Sequence, residues 1–168
     1  THAKGASELC EKSYNASRNE WYCGLKLHTV IARRLGPLPL PLSLIASGAA
    51  QHDLPAAKHI LKDHLSLKHG RLYADKAYID ADWAQFLEEN HALSLLTSRK
   101  KLKGDILISG NTFSSFVSSM RQPIEYFFNW LNRLTNIQSA SMVRSLSGLL
   151  LHIFAHIATA LVALLFNP

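Results

Sequence analysis

From Leu146 to Phe166 the chain contains no Lys, Arg, Asp or Glu. A charge-free run of that length either crosses a bilayer or packs as a helix on a protein core. Leu146, Leu149, Leu150, Ile153, Phe154, Ile157, Leu161, Val162 and Leu165 recur at helical spacing along one stripe. His152, Ala155, His156, Thr159 and Ala163 fall on the other side. A helix with two unlike sides is built to pack. The expectation is a C-terminal packing helix over 143–166 and no membrane partner.

Such a helix needs a core, and 168 residues at 48% hydrophobic content supply enough for one domain. The net charge of +6 is concentrated locally, most densely in Arg99-Lys-Lys-Leu-Lys103, with Arg33-Arg34 as a second patch. Basic runs are usually solvated loops. Beside acidic metal-ligand candidates, Arg99, Lys100, Lys101 and Lys103 also fit phosphate contact that positions DNA without reading its sequence. Cys10 and Cys23 are too few for a disulfide framework or a Cys₄ zinc site, which fits reduced thiols in the cytosol. No Gly-rich phosphate loop, nucleophile elbow or CxxC pair is present, which argues against nucleotide-binding, esterase and redox chemistry.

Residues 1–20 are polar and aperiodic and read as a loop. Residues 21–31 alternate as a strand, with Leu25, Leu27 and Thr29 on one face and Lys26, His28 and Val30 on the other. The Pro-rich turn after Gly36 leads into a second strand over 42–47, an edge or irregular one, completing a hairpin. Asp53 is placed as the N-cap of a helix running to Leu65, with Pro55 in its first turn. A short central strand over 71–75, a helix over 80–90 capped by Asp80, and a strand over 93–97 follow. Pro123 either opens the next helix or kinks a longer one that begins before Met120. Ile124, Phe127, Phe128, Leu131 and Leu134 form that helix's apolar stripe. The order describes an α/β class, a mixed sheet flanked by helices, in one domain over 1–168.

Two carboxylates stand out. Asp75 ends a strand, and ligands of open α/β sheets gather outside the carboxyl ends of strands. Glu125 lies at the margin of the apolar stripe, near the start of an amphipathic helix, with Arg121 four residues before it. The ordinary readings are a turn former for Asp75 and a first-turn acid favoured by the helix dipole for Glu125. The chemical reading is a cradle of hard oxygen ligands for Mg²⁺ or Mn²⁺, with Arg121 and Lys76 meeting phosphate. His28 reads as structural. His152 and His156 have a zinc-like spacing, but with no Glu between them and no third ligand nearby they read as packing residues.

The chain resembles the DDE-type transposases of bacterial insertion sequences. The resemblance rests on an ordered set: Tyr22-Cys-Gly-Leu-Lys-Leu-His28, Ala49-Ala-Gln-His-Asp-Leu-Pro55, Leu72-Tyr-Ala-Asp-Lys-Ala-Tyr78 and Arg121-Gln-Pro-Ile-Glu125 with Phe128-Asn-Trp-Leu131. Thr135-Asn-Ile-Gln138, Val143-Arg-Ser145 and the apolar last helix also fit. The resemblance implies an RNase H-like fold in which three acidic residues hold two Mg²⁺ ions for hydrolysis and strand transfer at element ends. Asp75 matches the second acid, Glu125 the third, and Arg121 the Arg four positions before it. It further implies double-stranded DNA as partner, allows a homodimer, and places the protein in the cytoplasm at the nucleoid.

There are three departures from the family pattern. The family's Tyr falls at Ser118 and its later Lys at Asn132. The first acid, which the family carries on a strand upstream of the Gly-x-Lys-x-His hairpin, has no counterpart; only Glu8, Glu11 and Glu20 precede that hairpin. The sequence therefore reads as the C-terminal portion of a longer transposase, without the N-terminal strand that bears the first Asp. It is expected to be inactive alone. The competing readings are a non-catalytic DNA-binding remnant and a small membrane protein anchored by the last helix.

Overall fold

The computed structural model describes residues 11–15, 19–36, 38–64, 67–98, 112–140, 143 and 145–166. They belong to two compact units, one formed by 1–51 with 124–168 and the other by 52–123.

The first unit holds a three-stranded antiparallel sheet in the order β1 (Glu11–Asn15), β2 (Glu20–Ala32), β3 (Leu40–Gly48). The hairpin β2–β3 is the one that alternation placed. Its register runs from Leu25 opposite Gly48 to Ala32 opposite Leu40 and slips between Val30 and Ile31, where Pro41 takes its place in the ladder. Proline donates no ladder hydrogen bond, so edge strand β3 bulges at that point. Strand β1 is a correction to the loop expected over 1–20. Glu-Lys-Ser-Tyr-Asn has no apolar alternation; its strand is held by cross-strand partners. Tyr14 and Trp21 face each other with ring centroids 5.2 Å apart, and Lys12 Nζ lies 4.9 Å from the Trp21 ring. The Glu11 carboxylate accepts the Ala50 N–H at 3.0 Å and lies so close to Gly48 that a Cβ there would collide with it.

The same unit is closed by residues of α3 (Thr112–Thr135) and by α4 (Leu146–Phe166). Leu38, Phe127, Leu131, Ala160 and Leu164 form its core, with Leu27, Phe128, Trp130 and Ile137 packed around them. Ser145 Oγ accepts the Gly148 N–H at 3.1 Å and caps α4, which therefore starts three residues later than expected.

The second unit is built on a parallel pair, β4 (Gly70–Ala74) and β5 (Leu93–Thr97), joined through α2 (Ala81–His91). Among the described residues β4 pairs with β5. The Asp80 cap is present: its side chain accepts the Trp83 N–H at 2.9 Å. Helix α1 (Asp53–His59) carries Pro55 in its first turn, but His52 is the capping position and Asp53 the first helical residue. The expected single helix to Leu65 instead ends in a π-helical turn over Ile60–His64, which buries Ile60 and Leu61.

Candidate catalytic site

Asp75 stands directly after β4, at the carboxyl end of the strand, where the backbone turns into a 3₁₀ segment over Lys76–Tyr78. Its Oδ1 accepts the Lys76 N–H at 2.7 Å, and its carbonyl accepts the Tyr78 N–H at 2.9 Å. These two bonds fix the carboxylate at the strand mouth. Arg121, from α3, reaches the same oxygen with NH1 at 3.4 Å; its side chain is 22% exposed against 42% for Asp75. A mostly buried guanidinium thus supplies positive charge to a half-exposed carboxylate.

Tyr78 completes the group. Burial raises its phenol above the ordinary tyrosine value, the Asp53 and Asp75 carboxylates raise it further, and the Arg121 guanidinium opposes them. Asp53 therefore acts on the same phenol as Asp75, from the first residue of α1. Sequence reading assigned Asp53 to a cap and so missed it. Pro55 lies in the first turn whether Asp53 caps the helix or opens it, so it carried no local signal for this role.

Lys76 is exposed, and its backbone N–H serves Asp75. Glu125 is exposed on α3, fourteenth of twenty-four helical residues, so the first-turn reading is overturned. Arg121 is engaged by Asp75. Arg99, Lys100, Lys101 and Lys103 lie outside the described residues. His28 is buried with Nε2 2.7 Å from Ser47 Oγ, a structural role. His152 and His156 stack with centroids 4.1 Å apart; His152 Nε2 donates to the Ile137 carbonyl and His156 Nδ1 to the His152 carbonyl. Each ring is thus held by a backbone carbonyl.

As oxygen donors, the carboxylates of Asp75 and of Glu125 are each of the type that suits a hard divalent cation. Among the described residues no three His, Cys, Asp or Glu side chains group to hold a metal ion. Glu11 and Glu20 each open a strand, contrary to the loop setting expected for them. The Glu11 carboxylate is committed to the Ala50 N–H.

A short strand delivering an Asp at its carboxyl end, a hairpin sheet and covering helices define a mixed α/β domain of the RNase H-like type. The chain belongs to the transposase DDE domain family, whose model matches residues 1–162. No curated protein and no solved structure matches it. The family's chemistry is transposition, the cutting and joining of DNA strands, and divalent metals generally support it.

Proposed function

We propose that this chain is the catalytic domain of an insertion-sequence transposase, acting on phosphodiesters at the ends of its element by hydrolysis and strand transfer. The observation that carries this is Asp75 at the carboxyl end of β4, ion-paired with Arg121, within a chain matching the DDE family over 1–162. Asp75 and Glu125 are two of the three acids of a site for Mg²⁺ or Mn²⁺. Arg121 and Lys76 face phosphate, and Arg99, Lys100, Lys101 and Lys103 follow the backbone of double-stranded DNA. The protein works in the cytoplasm at the nucleoid, as a homodimer.

Only two of the family's three acids have counterparts in this sequence, so the chain alone is expected not to cleave DNA. That same observation favours a second reading, a DNA-binding remnant without catalysis. Mn²⁺ binding and duplex retention separate the two. In the leading reading, Asp75→Asn and Glu125→Gln each weaken Mn²⁺ binding about 10-fold or more, and duplex binding in chelator is unchanged. Equal Mn²⁺ binding by all three proteins supports the remnant. Metal-dependent cleavage by the chain alone refutes its inactivity.

A further inference from the structure

Helix α4 has two apolar stripes, and among the described residues the first unit buries one of them. Ile153, Ile157, Ala160 and Leu164 are buried, the last two in the core with Phe127 and Leu131. A second line, Leu151, Phe154, Ala158, Leu161 and Leu165, is exposed, with Leu151 at 72%, Phe154 at 58% and Leu165 at 75%. Its steps of three, four, three and four residues are those of a coiled-coil seam. At about 100° per residue this seam lies roughly a quarter turn around the helix from the buried stripe. Val162 and Phe166 widen its exposed apolar edge.

We propose that this seam docks on the same seam of a second copy of the chain, antiparallel about a two-fold axis. Three observations point to that occupant. First, the seam reads the same in both directions by size: two large residues, a small one, two large ones. With Ala158 on the axis, Leu151 comes level with the partner's Leu165 and Phe154 with the partner's Val162, one residue from Leu161, and the alanine lets the helices close.

Second, the area matches. At about 200 Å² for a fully exposed large side chain, Leu151, Phe154, Leu161, Val162, Leu165 and Phe166 offer roughly 700 Å² per chain, near the ~800 Å² per partner of a standard interface. Third, a bilayer is a poor fit, although α4 is by length and composition long and apolar enough to cross one. Crossing would strip Ala160 and Leu164 from Phe127 and Leu131 and carry His152 and His156 into hydrocarbon. Antiparallel pairing also sets the two helix dipoles against each other. The proposal names the surface of the dimer and does not depend on catalysis.

Sedimentation equilibrium on the whole chain, beside vesicle flotation, tests it. The wild type should sediment at micromolar concentration as two chains of 18.7 kDa each. Leu151→Glu combined with Leu165→Glu should raise the dimer dissociation constant at least about 100-fold. Ala158→Trp, which wedges the seam at its axis, should weaken it as well while leaving the far-ultraviolet circular dichroism unchanged. A monomeric wild type overturns the proposal. So does a dimer that both variants leave intact, or an open-ended polymer. Flotation of a monomeric wild type with phosphatidylcholine–phosphatidylglycerol vesicles, abolished by the double variant, would assign the seam to lipid and overturn it too.

Discussion

Asp80 ties α2 to α1 with one carboxylate. Oδ1 accepts the Trp83 N–H at 2.9 Å and Oδ2 accepts from the Lys58 ammonium at 2.7 Å. The Lys58 bond first, and the Trp83 N–H second, hold its carboxyl below the usual carboxylate range. A lowered folded-state value means the stabilisation is complete above that range and is lost as pH falls through it towards the folded value. Asp80→Asn keeps a competent cap and removes the charge. Its melting temperature should lie below wild type at neutral pH and converge with it in acid. A gap that stays constant across that range would place the effect in packing. This cap was legible in the sequence because a cap is a local device. The setting of Asp75 was half legible: its place at the strand end followed from the run Arg71-Leu-Tyr-Ala, but its pairing with Arg121 spans forty-six positions and has no local signature. Asp53 was hidden for the same reason.

Among the elements, α3 and α4 show how far periodicity reaches. Phe127 and Leu134 were placed on one apolar stripe, yet Phe127 is 1% exposed and Leu134 is 46% exposed. Phe127→Ala should cost about 3–5 kcal/mol in denaturant unfolding, and Leu134→Ala less than about 1 kcal/mol. Similar losses at both would restore the stripe read from spacing. The C-terminal helix departs further. Of its expected stripe, Ile153 and Ile157 are buried, whereas Phe154, Leu161, Val162 and Leu165 are exposed, so α4 is packed along one line and not throughout. A helix apolar over most of its circumference has no sharp polar face to set its rotation, and packing against Phe127 and Leu131 sets it instead. The hairpin β2–β3 and strand β5 were legible because alternation and proline placement are written locally. Strand β1 was not, since its support comes from Trp21 and Ala50, across the sheet and beyond it.

At the scale of the whole molecule, the proposed function makes charge the term that decides how the chain would meet DNA. The excess of +6 sums 18 basic against 12 acidic side chains, and four of the basic ones fall within Arg99–Lys103. A polyanion responds to such a run chiefly by releasing counterions, so affinity for duplex DNA should fall steeply with salt whatever its sequence. If Arg99, Lys100, Lys101 and Lys103 each neutralise a phosphate, replacing all four by Ala should flatten the slope of log affinity against log salt by about 3.6, at roughly 0.9 per phosphate. The loss relative to wild type should then be largest at low salt and shrink about 100-fold over a fourfold rise in concentration. Filter binding on an element-end duplex and on an unrelated duplex of equal length measures both. Equal slopes in wild type and variant would remove the run from the interface. A loss confined to the element-end duplex would make it a reader of sequence, contrary to the backbone role proposed. Asp75→Asn, which removes a proposed metal ligand without touching the run, should leave the slope at its wild-type value.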